Sequence, residues 1–260
     1  MLCLPAEKKE KYPTVVLAHG FGGNYHYLTG RIAEELAKNG YAAYAFNFRN
    51  PDTRSMLGTS PLTEAKTLDI VLDELQKQPW VDTSALFLLG ESQGGFVAAY
   101  TAAQRPEDIA GLILFYPAFV LQDEAKTRNP SWSEANYTFL ETEIIGGNEV
   151  SGMYSRDALS FDIYEIIGSY NKDVLIVHGT NDPVVPLAYS ERAAETYENA
   201  ELKIIDGAGH GFYGGKPFTV SVGYVIEYLK ECSQDTSSIS TVKPMNRSTS
   251  SPPDSHKPRA

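Results

Sequence analysis

The chain has 260 residues, 42% of them hydrophobic and 21% charged, and its formal net charge at pH 7 is -11. This composition is typical of one large globular domain and excludes a wholly disordered chain. The acidic balance argues against nucleic acid and anionic membranes as partners. No apolar run approaches the roughly eighteen residues that a membrane span needs.

The N-terminus and the cysteines give no sign of export or of a metal. The first ten residues lack the apolar stretch of a signal peptide. Cys3 and Cys232 lie near opposite ends of the chain, which is neither a disulfide framework nor a metal-ligand spacing. We therefore expect a cytoplasmic protein without metal or cofactor, with monomer or homodimer left open.

Strand-like and helix-like segments alternate along most of the chain. In order, the pattern predicts strands over 12–18, 41–48, 85–89, 111–116, 173–178 and 202–205, and helices over 28–39, 63–78, 96–105, 188–197 and 218–232. Such alternation predicts an α/β fold, a mostly parallel sheet with helices on both faces. Ligands bind to such sheets beyond the carboxyl ends of the strands.

The alternation is interrupted between residues 118 and 168. A structureless loop of that length is improbable in a compact domain, so we predict an inserted cap subdomain. Residues 1–117 and 169–232 then form the core, and the Ser/Thr/Pro-rich residues 233–260 a disordered tail. The aromatic residues of the insertion either form its own small core or face a substrate: Trp132, Tyr137, Phe139, Tyr154, Phe161 and Tyr164.

The segment Gly90–Gly95, with sequence GESQGG, stands between a predicted strand and a predicted helix. This is the context in which G-x-S-x-G forms a nucleophile elbow. Gly90 and Gly94 would leave room for a sharp turn that exposes the hydroxyl of Ser92. The alternative is an ordinary serine at a helix start, which needs no glycine on both sides.

A serine hydroxyl needs a base to take its proton, and histidine suits that task near neutral pH. His210 is the best candidate, because glycines flank it in the loop after the last predicted strand. We expect His19 to brace the first glycine-rich loop, His26 to line a pocket beyond it, and His178 to be structural. His256 falls in the tail.

The imidazole needs an acid that fixes its tautomer. Asp182 follows the preceding strand and should share a sheet edge with His210. Asp206 competes, but it lies only four residues before the histidine and would have to fold back.

An oxyanion hole needs two backbone N–H donors. We expect them to come from Gln93, directly after the nucleophile, and from Phe21, in the first glycine-rich loop. The chain order Ser, Asp, His is that of α/β-hydrolases.

These motifs resemble the α/β-hydrolase superfamily and, within it, bacterial cinnamoyl (feruloyl) esterase-like hydrolases. The resemblance runs from about residue 12 to 229 and rests on HGFGGN at 19–24, QPWVD at 78–82, GESQGG at 90–95, HGTNDPVV at 178–185 and GHGF at 209–212. It implies an α/β-hydrolase fold whose cap follows the sixth strand of the standard order. It also implies the same catalytic serine, aspartate and histidine and the same two oxyanion donors.

In those relatives the insertion helps to form an aromatic-acid pocket, in which a tyrosine and an aspartate reach the phenol hydroxyl. The resemblance places these roles on Tyr154 and Asp123. This chain departs from the family in two respects: Glu91 stands where the family often has histidine, and only about a dozen residues precede the first strand. Relatives carry an N-terminal hairpin there, so either the sheet is shortened at that edge or the chain is truncated.

The favoured function is a serine carboxylesterase that acts on hydroxycinnamate or other small acyl esters through an acyl-enzyme. A serine peptidase of the acylaminoacyl or prolyl-oligopeptidase type is an alternative, although such enzymes normally carry a large N-terminal propeller. The other alternative is a non-catalytic scaffold, which would not need Ser92, Asp182 and His210 together.

Overall fold

The computed structural model describes residues 1–48, 55–131 and 140–239, the last six in backbone alone. Trp132, Tyr137, Phe139 and His256 lie outside these residues. In chain order, the strands of the described ranges are β1 (Leu2–Cys3), β2 (Tyr12–Ala18), β3 (Ala42–Ala45), β4 (Val81–Glu91), β5 (Gly111–Phe115), β6 (Thr142–Ile145), β7 (Asn148–Ser151), β8 (Val174–Gly179) and β9 (Ala200–Ile205).

Helices connect most of the strands and cover both faces of the main sheet. In chain order they are α1 (Leu28–Lys38), α2 (Pro61–Gln76), α3 (Gln93–Gln104), α4 (Leu121–Arg128), α5 (Met153–Leu159), α6 (Ile163–Ile167), α7 (Ala188–Thr196) and α8 (Gly215–Ile239). The predicted strand–helix alternation is therefore confirmed, with boundaries that differ by a few residues at most elements.

The main sheet has the strand order β1-β3-β2-β4-β5-β8-β9. Every neighbouring pair is parallel except β1 with β3. Since parallel strands end at the same edge, the loops after β2, β4, β5, β8 and β9 meet there. These loops carry the residues that the sequence assigns to catalysis.

The strands are buried on both faces, which explains their unbroken apolar runs. In β2, Val16 and Ala18 belong to one hydrophobic cluster with α2, α3 and the inserted helices. Val15 and Leu17 belong to a second cluster with α1 and α8. The alternation along a single strand thus separates two cores, one on each face of the sheet.

The inserted segment, residues 118–168, contains α4, the β6–β7 hairpin, α5 and α6 in its described part. Tyr154 and Tyr164 are 1% and 7% exposed and lie in the same hydrophobic cluster as α2 and α3. The segment therefore shares its apolar core with the face of the sheet that it covers. The division into core and cap subdomains stays a prediction.

Two terminal elements differ from the sequence prediction. β1, which the prediction lacks, adds a two-residue antiparallel strand to β3, and so short an edge strand offers little surface for edge-to-edge pairing. At the other end, α8 continues seven residues beyond Cys232, so the predicted tail starts too early. The reason is that polar residues such as Ser233 extend an established helix at low cost, whereas starting one is costly. The remainder of the predicted tail, residues 240–260, lies outside the described residues.

None of the helices in the described ranges has both the length and the apolar content required to cross a membrane.

Candidate active site

Ser92 lies at the turn between β4 and α3 with a φ of +53°. Positive φ is uncommon for a residue with a side chain and stores strain that the surroundings must maintain. Here the Ser92 N–H donates to the Phe115 carbonyl at 2.9 Å, and the Ser92 carbonyl accepts from Gly95, Phe96 and Ala118 at 3.0, 3.1 and 2.9 Å. These bonds fix the turn from both sides.

The neighbouring glycines make the turn possible because other backbone segments pass very close to them. A Cβ added to Gly90 would lie 2.2 Å from the Gly94 carbonyl oxygen, and one added to Gly94 would lie 2.3 Å from the Ala18 carbonyl oxygen. A Cβ at Gly20 would lie 3.1 Å from the Ser92 Cβ. The glycine spacing of the motif is therefore a packing requirement.

His210 reaches Ser92 from the loop after β9. Its Nε2 lies 3.0 Å from Ser92 Oγ, and its Nδ1 lies 2.7 Å from Asp182 Oδ2. With the proton on Nδ1, that N–H donates to Asp182 and Nε2 accepts the serine hydroxyl. This is the arrangement that a general base requires. The left-handed φ of +88° at Gly211 turns the chain directly after the imidazole.

Asp182 is held in its loop by four donors. Its Oδ1 accepts the backbone N–H groups of Val184 and Val185 at 2.8 and 2.9 Å. Its Oδ2 accepts from His210 and lies 3.3 Å from Nε2 of His178. Burial raises the pKa of this carboxyl, but the bonds from the two histidines and the two amides outweigh burial and hold the pKa well below its usual range. Asp182 is therefore ionised at neutral pH.

The competing aspartate and the other described histidines fall elsewhere. Asp206 is exposed and accepts the Thr180 hydroxyl at 3.1 Å. His178 is fully buried between the Ser190 hydroxyl and the Val185 carbonyl, so it supports the Asp182 loop. His19 Nδ1 lies 2.7 Å from the Gly20 carbonyl oxygen, and His19 Nε2 accepts the Phe48 N–H at 3.2 Å. These two contacts brace the glycine-rich loop.

Phe21 and Gln93, the predicted oxyanion donors, follow the neighbouring strands β2 and β4. Gln93 is the first residue of α3, directly after the nucleophile, and Phe21 lies in the loop after β2. Within the described part of the chain, no hydrogen bond occupies the backbone N–H of either residue. Free amides at a helix start favour negative charge, which applies to Gln93. The Phe21 amide, in the loop after β2, is likewise unoccupied and could serve as the second donor.

The chain matches a family model described as alpha/beta hydrolase fold over residues 13–145, and a model described as TAP-like protein over residues 162–240. The first match covers half of the chain. The chain belongs to the α/β-hydrolase family. The nucleophile elbow, the strand order and the Ser, Asp, His sequence of loops are those of this fold.

Known relatives of this hydrolase include esterases and lipases. Caffeoylshikimate esterase of Arabidopsis thaliana is 24% identical over 78% of this chain and 72% of its own length. Human monoglyceride lipase is 33% identical over only 35% of this chain and 28% of its own. Among solved structures, Est1E from Butyrivibrio proteoclasticus superposes with a TM-score of 0.74 at 24% identity, covering 91% of this chain and 93% of that one. A Paleococcus ferrophilus monoacylglycerol lipase superposes with a TM-score of 0.68 at 21% identity, covering 89% and 98%.

The hydrolase has a cleft of about 240 Å³ that Ser92 and His210 line. Its walls include three residues that the sequence analysis did not single out: Tyr27, Val184 and Tyr213. All three are more than half exposed, so the mouth of the cleft is open to solvent. A larger cavity of about 490 Å³ lies at the opposite end of the strands and contains none of Ser92, Asp182 and His210.

Three residues predicted to contact substrate lie outside the walls of this cleft. His26 is exposed, and its ring packs against Tyr25. Asp123 on α4 accepts the Tyr189 hydroxyl at 2.9 Å and lines a separate surface cavity. Tyr154 is buried, and its hydroxyl donates to the side chain of Gln93. Tyr154 therefore lies behind the oxyanion residue rather than in the cleft.

Sequence reasoning also missed a buried pair behind His210, formed by Glu91 and Tyr116. Glu91 accepts the Tyr116 hydroxyl at 2.8 Å, and the Tyr116 ring packs against His210 with centroids 4.6 Å apart. Burial raises the pKa of Glu91, although bonds from Tyr116 and the Gly20 amide oppose this. The departure of Glu91 from the family pattern is the signal that could have led to this pair.

Among the described residues, no cluster of His, Cys, Asp or Glu side chains converges as metal ligands would.

Gly94→Ala tests the packing requirement at the elbow. We expect the free energy of unfolding to fall by at least about 3 kcal/mol, because the new methyl group must displace two backbone carbonyls. Gly223→Ala is the matched control: it lies in α8, with nothing within 4 Å of an added Cβ. It should raise stability by up to about 1 kcal/mol. Urea denaturation measures both, and wild-type stability in Gly94→Ala would contradict the account.

Asp182→Asn tests the buried carboxylate through pH. Because the folded-state pKa is depressed, the carboxylate stabilises the fold above its unfolded pKa of about 3.9, and this contribution is lost as pH falls below that value. We expect a lower urea midpoint than wild type at neutral pH and a smaller difference at about pH 3. Asp206→Asn, the exposed control, should have the urea midpoint of wild type at both pH values. If the difference in midpoint between Asp182→Asn and wild type does not change with pH, the predicted role of the ionised carboxylate is wrong.

Proposed function

We propose that the protein is a serine carboxylic-ester hydrolase that acts through an acyl-enzyme. The observation that carries the proposal is the continuous hydrogen-bonded chain from Ser92 Oγ through His210 to Asp182, at 3.0 and 2.7 Å, in an open cleft. A binding scaffold would not require these two hydrogen bonds to be intact.

In the first half of the reaction, Ser92 Oγ attacks the acyl carbon, and its proton passes to His210 Nε2. Asp182, already ionised, stabilises the imidazolium that forms. The carbonyl oxygen takes the negative charge and accepts the N–H groups of Phe21 and Gln93. When the C–O bond to the alcohol breaks, His210 returns the proton to the departing alkoxide, leaving the acyl group on Ser92.

In the second half, a water molecule takes the place of the alcohol. His210 removes its proton as the oxygen attacks the acyl carbon, and the second oxyanion uses the same two amides. Cleavage of the bond to Ser92 releases the acid, and the proton on His210 goes back to Ser92 Oγ. The site thus returns to its starting state, with one water molecule consumed per ester.

We further propose small acyl esters, with hydroxycinnamate esters as the leading class. The support is the names of two relatives: caffeoylshikimate esterase acts on an aromatic ester, and Est1E has been solved with ferulic acid bound. In this chain, Phe21, Tyr27 and Tyr213 supply aromatic walls to the cleft.

A fluorophosphonate probe tests the nucleophile. We expect wild type to be labelled at Ser92 and Ser92→Ala to remain unlabelled. His210→Ala should lower kcat on p-nitrophenyl acetate by at least about 10⁴-fold, because the serine loses its base. Peptide mass spectrometry locates the label. Folded wild-type protein that takes no label at Ser92 would exclude both esterase and peptidase functions.

Three substrates test the chemistry that the site favours: methyl ferulate, p-nitrophenyl acetate and an acyl-peptide anilide. We expect kcat/KM for the two esters to exceed that for the anilide by at least about 100-fold, a difference of roughly 3 kcal/mol in transition-state free energy. Steady-state kinetics with one enzyme preparation gives the ratios. An anilide cleaved as fast as the esters would instead indicate a serine peptidase.

A further inference from the structure

Tyr154 contacts both residues whose amides would form the oxyanion hole. Its hydroxyl donates to the side-chain oxygen Oε1 of Gln93. Its ring packs edge-on against the ring of Phe21, with centroids 5.5 Å apart and an interplanar angle of 78°. Burial raises the pKa of Tyr154 well above its ordinary value, so the hydroxyl keeps the proton that it donates. One residue of the inserted segment thus contacts the side chains of both predicted oxyanion donors.

The other end of the Gln93 side chain is held from the opposite direction. Its Nε2 donates to Oε2 of Glu64 on α2 at 2.6 Å. Gln93 is 1% exposed and Glu64 is 6% exposed, so water does not compete for this bond. Because both ends of its amide are engaged, the Gln93 side chain has little freedom to change rotamer.

The turn of the β6–β7 hairpin adds a second contact to Phe21. Gly146 has a φ of +54°, and a Cβ placed there would lie 3.6 Å from the Phe21 ring. The glycine-rich loop after β2 therefore lies beneath the inserted segment at two points.

We propose that Tyr154, Gln93 and Glu64 form a positioning network that sets the geometry of the oxyanion hole, with Tyr154 acting as the link between the inserted segment and the reacting centre. The inference rests on the proposed esterase function. Tyr154 is accordingly a positioning residue and not a contact to the phenol of a substrate.

The protonation state of Glu64 decides whether the network is neutral. Burial raises the pKa of Glu64 to about 8, and the bond from Gln93 opposes that rise only in part. At pH 7 the carboxyl is therefore uncharged. Above about pH 8 it becomes a buried carboxylate, which must attract water or pull on Gln93 to be stabilised.

The surrounding groups offer little to neutralise such a charge. α2 packs against α3, β4 and α5. α3 contributes the amide of Gln93, which is uncharged. β4 contributes Glu91, which accepts from Tyr116 and offers no positive charge. From α5 come the Tyr154 hydroxyl and Asp157, which accepts the Ser60 hydroxyl at the start of α2 at 2.5 Å. Arg128 on α4 and Glu124 and Glu143 act on Tyr154 rather than on Glu64.

Tyr154→Phe, which removes only the hydroxyl, is the first test. Tyr164→Phe is its matched control, since that buried tyrosine of the same segment donates to the Tyr189 carbonyl, not to an oxyanion residue. We expect Tyr154→Phe to lower kcat about tenfold on both p-nitrophenyl acetate and methyl ferulate, with KM within twofold. Removing an oxyanion donor outright costs more, about 10²–10³. Tyr164→Phe should stay within twofold of wild type in both parameters.

Glu64→Gln is the second test, because glutamine is a neutral replacement of the same shape. We expect the fall in kcat between pH 7 and about pH 9.5 to be severalfold smaller in Glu64→Gln than in wild type, where Glu64 ionises over that range. Thermal unfolding of each variant separates a loss of fold from a loss of positioning.

The outcomes distinguish this proposal from the function beneath it. Wild type that hydrolyses neither ester overturns the esterase function and the network with it. Active wild type with a Tyr154→Phe variant that behaves like Tyr164→Phe overturns the network alone. So does a Tyr154→Phe variant that raises KM for methyl ferulate only, which would make Tyr154 a substrate contact. Identical pH profiles for wild type and Glu64→Gln would remove Glu64 from the network.

Discussion

The strained turn at Ser92 is the constraint on which the site depends. A serine with a φ of +53° is stable only because its carbonyl accepts three N–H groups and its own N–H reaches β5. The same turn brings the start of α3 against the end of β2, close enough that Gly94 cannot carry a side chain. The same close packing therefore positions Ser92, the start of α3 and the glycine-rich loop after β2.

Three buried carboxyls surround this turn, and their environments give them different protonation behaviour. Asp182 meets four donors and stays ionised beside His210, which would carry the positive charge in the proposed reaction. Glu64 meets one amide and keeps its proton at neutral pH. Burial raises the pKa of Glu91, which accepts the Tyr116 hydroxyl behind His210. The number of donors that each carboxylate accepts, set against burial, decides its charge.

The strand-end loops were predictable because they depend on local patterns: glycines around Ser92 and His210, and a strand before each loop. Those patterns led to the three residues that the structure places in hydrogen-bond contact. The β6–β7 hairpin was also accessible, since Gly146 and Gly147 form a two-residue glycine turn between β-prone segments. The bond from Gln93 to Glu64 was not, because it joins residues 29 positions apart on different helices. Tyr154 was assigned to substrate by resemblance, whereas its burial follows from packing that no local pattern encodes.

The central claim is that Ser92 carries the acyl group between the two halves of the reaction. Brief mixing with p-nitrophenyl acetate, acid quenching and peptide mass spectrometry tests it most directly. The account predicts a burst of p-nitrophenol and an acetyl group on the peptide that contains Ser92, with none on Ser92→Ala. Turnover of the ester without an acetylated Ser92, or with the acetyl group on another residue, would contradict it.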